Sequence, residues 1–175
     1  TELLDHLFYY QYGVTLERME RFEEASRLLE KSITLTPREE EKAAANTLNF
    51  LGYMWLDQGK HLDKAGEFIT KANELLPDQP AYIDSLGWFR YKKADYAGAL
   101  KDLQRAEALL QPVAPEDAEI LEHIGLTHQA LGDKAKALEY LERASALKTP
   151  DPKARKRIDE ALKKLKGLKT DTEKK

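Results

Sequence analysis

Four histidines, His6, His61, His123 and His128, are the side chains here best suited to acid–base work or to holding a metal. His123 and His128 stand five residues apart. On a helix that spacing turns one about 140° away from the other, so the two cannot share an ion. His6 and His61 are isolated, and surface or capping roles are expected of them. The acidic run Glu39–Glu41 fits the start of a helix, where carboxylates face the positive end of the dipole. The chain has no cysteine, which excludes disulfides, thiolate metal sites and a cysteine nucleophile. It also lacks a glycine-rich phosphate loop, a G-x-S-x-G turn and a His-Glu-x-x-His pair. The expectation is a protein that is not an enzyme and needs no cofactor or metal.

Composition narrows the alternatives. Hydrophobic residues make up 42% of the 175, enough for a real core, and the 34% that are charged are mixed in sign. The net charge of −3 hides an asymmetry: residues 152–175 carry ten Lys/Arg against four Asp/Glu. That basic end holds no aromatic residue among its charges, so a nucleic-acid or membrane arm is not expected. No apolar run approaches the roughly 18 residues of a membrane span, so no insertion is expected. The chain opens on Thr1 and Glu2, without a signal peptide or initiator methionine, and is expected to be a module of a longer polypeptide.

The chain repeats itself. "FYYQYGVTLERMERFEEASRLLEKSITLTP", "TLNFLGYMWLDQGKHLDKAGEFITKANELLP", "YIDSLGWFRYKKADYAGALKDLQRAEALLQP" and "ILEHIGLTHQALGDKAKALEYLERASALKTP" share one framework. Each has an early glycine (Gly13, Gly52, Gly87, Gly125) and an alanine about twelve residues later (Ala25, Ala65, Ala99, Ala137). A second small residue follows (Ser32, Ala72, Ala106, Ala144), then a closing proline (Pro37, Pro77, Pro112, Pro150). This framework resembles the tetratricopeptide repeat over roughly residues 6–150. The glycines lie 39, 35 and 38 residues apart. "REEEKAA" and "VAPED" absorb the larger insertions between repeats, and His61 fits as a single insertion in the second repeat's turn. The family's usual tyrosine three residues after the glycine is replaced by Leu16, Trp55, Arg90 and His128.

The predicted fold is all-α: a right-handed α-solenoid of four helix–turn–helix repeats closed by a C-terminal capping helix, with no sheet. Repeats are expected near 6–39, 45–78, 80–113 and 118–150. First helices are expected near 2–18, 42–58, 79–93 and 117–131, second helices near 21–36, 62–76, 96–111 and 134–148. A ninth helix over 152–166 carries one apolar stripe (Ile158, Ala161, Leu162, Leu165) and is N-capped by Asp151, as suits a solenoid end. Residues 1–168 are expected to form one superhelical domain and 169–175 a disordered tail. The mid-helix Gly87 should face Ala99 and let two backbones approach closely.

Some first helices carry a second apolar or amide face. On it lie Tyr10, then Asn46, Asn49 and Tyr53, then Asp84, Ser85, Trp88 and Tyr91, and finally Glu122 and Gln129. The family resemblance implies that first helices line the concave side of a superhelix and that these positions touch ligands. The same rings would also serve to fill the inside of a tight array. No Lys or Arg stands where relatives clamp a terminal carboxylate, so capture of an acidic C-terminal tail is not expected. An extended peptide with apolar or aromatic side chains fits better, with a basic group near Asp84 or Glu122. The function expected is therefore a protein-interaction scaffold for a peptide or partner helix. The alternative is self-association, as a homodimer, through the apolar first helix "LLDHLFYYQYG". The phrases "NFLGYMWLDQG" and "LPDQPAYIDSLGW" are similar to C-terminal repeats of bacterial members of the family. That implies a bacterial source, in the cytoplasm or associated with the periplasm and envelope.

Overall fold

The computed structural model describes residues 4–167. The expected tail, 169–175, lies outside them, as do the first residues of the predicted first helix. The described residues form α-helices joined by turns, with two short 3-10 turns and no strand among them. Contacts divide the chain into two compact units, one ending at Asp78 and the other beginning at Gln79. No helix among the described residues is long and apolar enough to cross a membrane.

The first unit holds two antiparallel hairpins, α1 (His6–Arg18) with α2 (Phe22–Leu35) and α3 (Glu41–Asp57) with α4 (Leu62–Leu75). The second holds α5 (Pro80–Lys92) with α6 (Tyr96–Ala108), then α7 (Ala118–Ala130) with α8 (Lys134–Ala146), and last α9 (Pro152–Leu165). Each unit is thus a run of helical hairpins, the all-α repeat architecture read from the sequence. Glu39–Glu41 falls as expected at the entry to α3, where a 3-10 turn over Arg38–Glu40 leads into the helix.

All four hairpins close in the same way. A residue seven positions after each repeat glycine adopts positive φ: Glu20 (59°), Gly59 (66°), Ala94 (61°) and Gly132 (85°). The next N–H then donates to the carbonyl five residues back. These bonds run from Arg21 to Leu16, Lys60 to Trp55, Asp95 to Arg90 and Asp133 to His128, at 2.9–3.0 Å. Such a turn satisfies carbonyls that the helix end leaves open and reverses the chain. Asp95 and Asp133 then cap α6 and α8, their side chains accepting from the Gly98 and Lys136 N–H groups. The inserted His61 is accommodated by a second left-handed residue, φ 48°, at the start of α4.

Within each hairpin the small residues meet. Ala25, Ala65, Ala99 and Ala137 are fully buried. A β-carbon on Gly87 would lie 2.7 Å from Leu103 Cγ and 3.3 Å from the Ala99 carbonyl oxygen. Gly13 and Gly125 meet Leu29 and Leu141 in the same manner, at 2.7 and 2.9 Å. The glycine therefore serves close approach, because side-chain bulk sets the usual 8–10 Å helix separation. Arg90, in place of the family's tyrosine, ties its own hairpin together, with Nε 2.8 Å from Asp102 Oδ2 on α6. His128 in the matching place stacks on Tyr140 of α8, ring centroids 5.6 Å apart.

In the second unit, Leu103 and Ala106 of α6 pack with Ile120, Leu121 and Ile124 of α7, and Ala144 of α8 and Ile158 of α9 join the same core. Leu165 of α9 closes over Leu141 and Ala137. Helix α9 begins at Asp151, whose side chain accepts from the Lys153 N–H. It covers the last hairpin as the sequence predicted.

Candidate functional site

The ten face positions named from the sequence fall into two groups, one in each unit. In the first unit, α1 and α3 present Tyr10, Asn46, Asn49 and Tyr53. Asn46 is exposed; the other three are partly buried. Asn46 Nδ2 donates to Tyr10 Oη at 2.9 Å, and the Tyr10 ring meets Phe50 edge-on at 6.1 Å. Asn49 lies one helical turn on from Asn46, so α3 presents both amides on one side. Asn49 Oδ1 is buried and has no hydrogen-bond partner. A buried polar atom left unpaired costs roughly 1–3 kcal/mol.

In the second unit the corresponding side chains are largely engaged by the chain itself. Asp84, Ser85, Trp88 and Glu122 are all buried, whereas Tyr91 and Gln129 are partly exposed. Asp84 Oδ1 lies 2.8 Å from His123 Nδ1, with both side chains almost wholly excluded from water. The His123 ring stacks on Trp88 at 4.0 Å, and Tyr91 stacks on Trp88's ring at 4.5 Å. Ser85 Oγ donates to the Ala81 carbonyl. Trp88 Nε1 is buried without a hydrogen-bond partner.

The electrostatics follow from this burial. Desolvation pushes the Asp84 carboxyl above its ordinary range, and His123 offsets only part of that. Burial works against charge on His123, yet the Asp84 carboxylate and its hydrogen bond hold the imidazole above its ordinary value. Glu122 is likewise raised by burial, with Arg157 opposing. Arg157, on α9, donates to both Glu122 oxygens at 3.2 and 3.1 Å and also to Glu119. The basic group that the sequence suggested a ligand would bring to Glu122 is therefore matched by one from the chain's own last helix.

Sequence reasoning missed His123 as Asp84's partner and Arg157 as Glu122's. The repeat register held a signal for the first pair. Asp84 stands three residues before Gly87 and His123 two before Gly125, which sets them at nearly the same level on consecutive first helices. His6 is buried, its carbonyl accepting from Ser32 Oγ at 2.7 Å. His61 packs its ring against Trp55 at 5.0 Å.

Clefts also lie away from these faces. One of about 490 Å³ in the first unit is lined by Ile33, Pro37, Leu48 and Leu75, with the Glu41–Lys71 pair at its rim. One of about 310 Å³ lies between α8 and α9 beside Thr149 and Ile158. None of the ten face positions lines either. Among the described residues no group of three or more His, Asp or Glu side chains is placed to hold a metal ion.

Comparison with known proteins agrees with the internal repeat. The tetratricopeptide repeat family model matches residues 7–39 and 118–149, the first and fourth hairpins. A curated TPR repeat-containing protein of Pseudomonas aeruginosa is 40% identical over 88 residues, which are 50% of this chain and 14% of that protein. The match thus spans about one seventh of the relative's length. A thermophilic TPR protein of Thermus thermophilus superposes with a TM-score of 0.73 at 22% identity, covering 91% of this chain and 80% of that one. PilF of Pseudomonas aeruginosa gives 0.70 at 21% identity, covering 91% and 67%. At those identities the structures establish the shared fold alone.

Proposed function

We propose, from the premise that this chain is a tetratricopeptide-repeat protein, that it binds an extended peptide on the first-helix face formed by α1 and α3. Repeats of this kind generally mediate protein–protein interaction and are generally scaffolds with no reaction of their own. The observation that carries the finer reading is the unpartnered, buried Asn49 Oδ1 beside the Tyr10–Asn46–Phe50 cluster. An extended peptide offers a backbone donor and an acceptor at every residue, so it can supply what Asn49 lacks. The neighbouring rings supply apolar area at low conformational cost. In the second unit, Tyr91 and Gln129 keep exposed surface, and Asp84, Ser85, Trp88 and Glu122 are buried.

The test is selection of binders from a displayed random peptide library, followed by titration of the best binder into wild type and Asn49→Ala. Loss of a buried hydrogen bond predicts binding weaker by about tenfold for the variant. Equal affinity for the two proteins would place the contact elsewhere.

A second reading is favoured by the surface of α1, where Leu4, Leu7, Phe8 and Tyr12 are exposed. Contact through that helix, with self-association its simplest form, predicts a mass in light scattering that rises with concentration. A constant monomer mass counts against it.

A further inference from the structure

We propose that the cleft of about 490 Å³ in the first unit binds a small amphiphilic carboxylate, its apolar body between α2 and α4 and its anionic end on Arg38. None of the ten face positions takes part, so this site stands or falls apart from the peptide reading. Its volume lies within the roughly 300–1,000 Å³ usual for small-molecule sites. Buried Ala44 and Leu48 of α3 line it, together with partly buried Ile33 of α2 and Leu75 of α4.

The opening comes from departures at particular repeat positions. Counted from the repeat glycine, Ile33 and Thr36 correspond to Glu107 and Leu110 in the second unit. Counted from the second small residue, Ala72 or Ala144, Lys71 and Leu75 correspond to Arg143 and Leu147. In the second unit Glu107 accepts from Arg143 at 2.7 Å and from Tyr140 at 2.9 Å, which ties α6 to α8. Leu110 and Leu147 pack there on the core that holds Leu121, the equivalent of Leu48. In the first unit Ile33 offers Lys71 no carboxylate, and Lys71 pairs instead with Glu41 of α3, at 3.1 Å. Thr36 is shorter than leucine and turns its hydroxyl back to the Ser32 carbonyl, at 3.0 Å. Glu107 and Leu110, which bridge and fill this seam in the second unit, thus have no counterpart in the first.

Charge chooses the ligand's polar end. With Glu41 and Lys71 paired, the charge left over in the lining is Arg38, which is exposed and makes no ion pair among the described residues. Its neighbour Glu40 lies 3.6 Å from His6 Nε2, and Glu39 is not part of the lining. A guanidinium presents its donors in a planar fork that matches a carboxylate. The apolar walls beside it favour a hydrocarbon body over a polar one. A cationic amphiphile would set like charge against Arg38.

The test titrates octanoate, 1-octanol and octylammonium into isotopically labelled protein while the methyl signals of Ile33, Leu48 and Leu75 are followed. The proposal expects saturable shifts of these methyls with octanoate. It expects octylammonium to bind about tenfold more weakly, since attraction turns to repulsion. Arg38→Gln should weaken octanoate roughly threefold, the worth of a rim-exposed ion pair, and leave 1-octanol unchanged. Thr36→Leu, which places here the side chain that Leu110 supplies in the second unit, should fill the cleft and abolish octanoate binding while the rest of the spectrum stays in place. Octanoate that leaves the methyls unmoved, or binds no better than octylammonium, would overturn the proposal. So would octanoate binding to either variant as tightly as to wild type. Methyl shifts caused by the library peptide and not by octanoate would overturn it in favour of a partner's side chain.

Discussion

Substituting Gly87 tests the reason given for the repeat glycine, and its size can be worked from the contacts. A methyl at this position would stand 2.7 Å from Leu103 Cγ and 2.9 Å from Cδ2. Ordinary carbon contacts lie at about 3.5–4.0 Å. Leu103 is fully buried, so it has no open space to retreat into. Overpacking of this kind costs roughly 1–3 kcal/mol. Removing glycine from a helix interior returns about 1 kcal/mol. Gly87→Ala should therefore lose about 1 kcal/mol net, or about 2–4 °C of Tm for a chain of this size. Gly87→Leu should lose about 3 kcal/mol or more, because further carbons enter the same seam. The exposed control Lys101→Ala should stay within about 0.5 kcal/mol. A double-mutant cycle sharpens the test. Leu103→Ala alone should cost about 2–5 kcal/mol, and about 1 kcal/mol less in the Gly87→Ala background, where the new methyl enters the vacated space. Calorimetric melting and urea titration give all of these values. A Tm raised by Gly87→Ala, or a Leu103→Ala cost equal in both backgrounds, would refute the close-approach argument.

Three further outcomes are expected. Ala94 closes its hairpin at φ 61°, a region that costs an L-residue roughly 1–2 kcal/mol, so Ala94→Gly should raise Tm slightly despite glycine's greater unfolded freedom; a lower Tm would contradict the turn geometry. Asp84 and His123 both sit above their ordinary pKa values, so the folded chain binds more protons than the unfolded one; the share of stability from Asp84 is lost as pH rises from about 4, and that from His123 as pH climbs past about 6.5. Glu122 on α7 adds to this with the same sign, Arg157 of α9 opposes it, and lowered His128 acts only toward acid pH. Melting curves from pH 6.5 to 9 should show the decline shrink in Asp84→Asn/His123→Gln, and an unaltered slope would reject the pair as its source. Arg157→Ala strips the cation from buried Glu122, so it should lower Tm by several degrees at pH 8 and by much less at pH 5, where the carboxyl can take up a proton; equal losses at both pH values would mean that packing, not charge, anchors that side chain.

The framework of the fold was legible because it is written in residue size and spacing. Glycine and alanine twelve apart, with proline after the second helix, locate each hairpin whatever surrounds it, and α9 follows from a capping aspartate and one apolar stripe. The faces were legible only in part. A helical wheel says that Asp84, Ser85 and Trp88 share a side, but not that a histidine 39 residues after Asp84 pairs with it and stacks on Trp88. Arg157 stands 35 residues beyond Glu122, on a helix whose basic residues read from the sequence as a solvated surface. The turn chemistry was half visible: Gly59 and Gly132 announce a left-handed residue, whereas Glu20 and Ala94 take the same conformation because the hairpin imposes it. The apolar first helix was visible as such, and the structure leaves its Leu7, Phe8 and Tyr12 exposed.

Side-chain amide resonances offer the most direct examination of the proposed binding surface. With isotopically labelled protein, the best peptide from the displayed library is titrated while the amide signals of Asn46 and Asn49 are followed. Saturable shifts of both, larger than those of Asn73 on α4, are the predicted result. Saturation with the two signals unmoved and shifts gathered on second-helix residues would contradict the account.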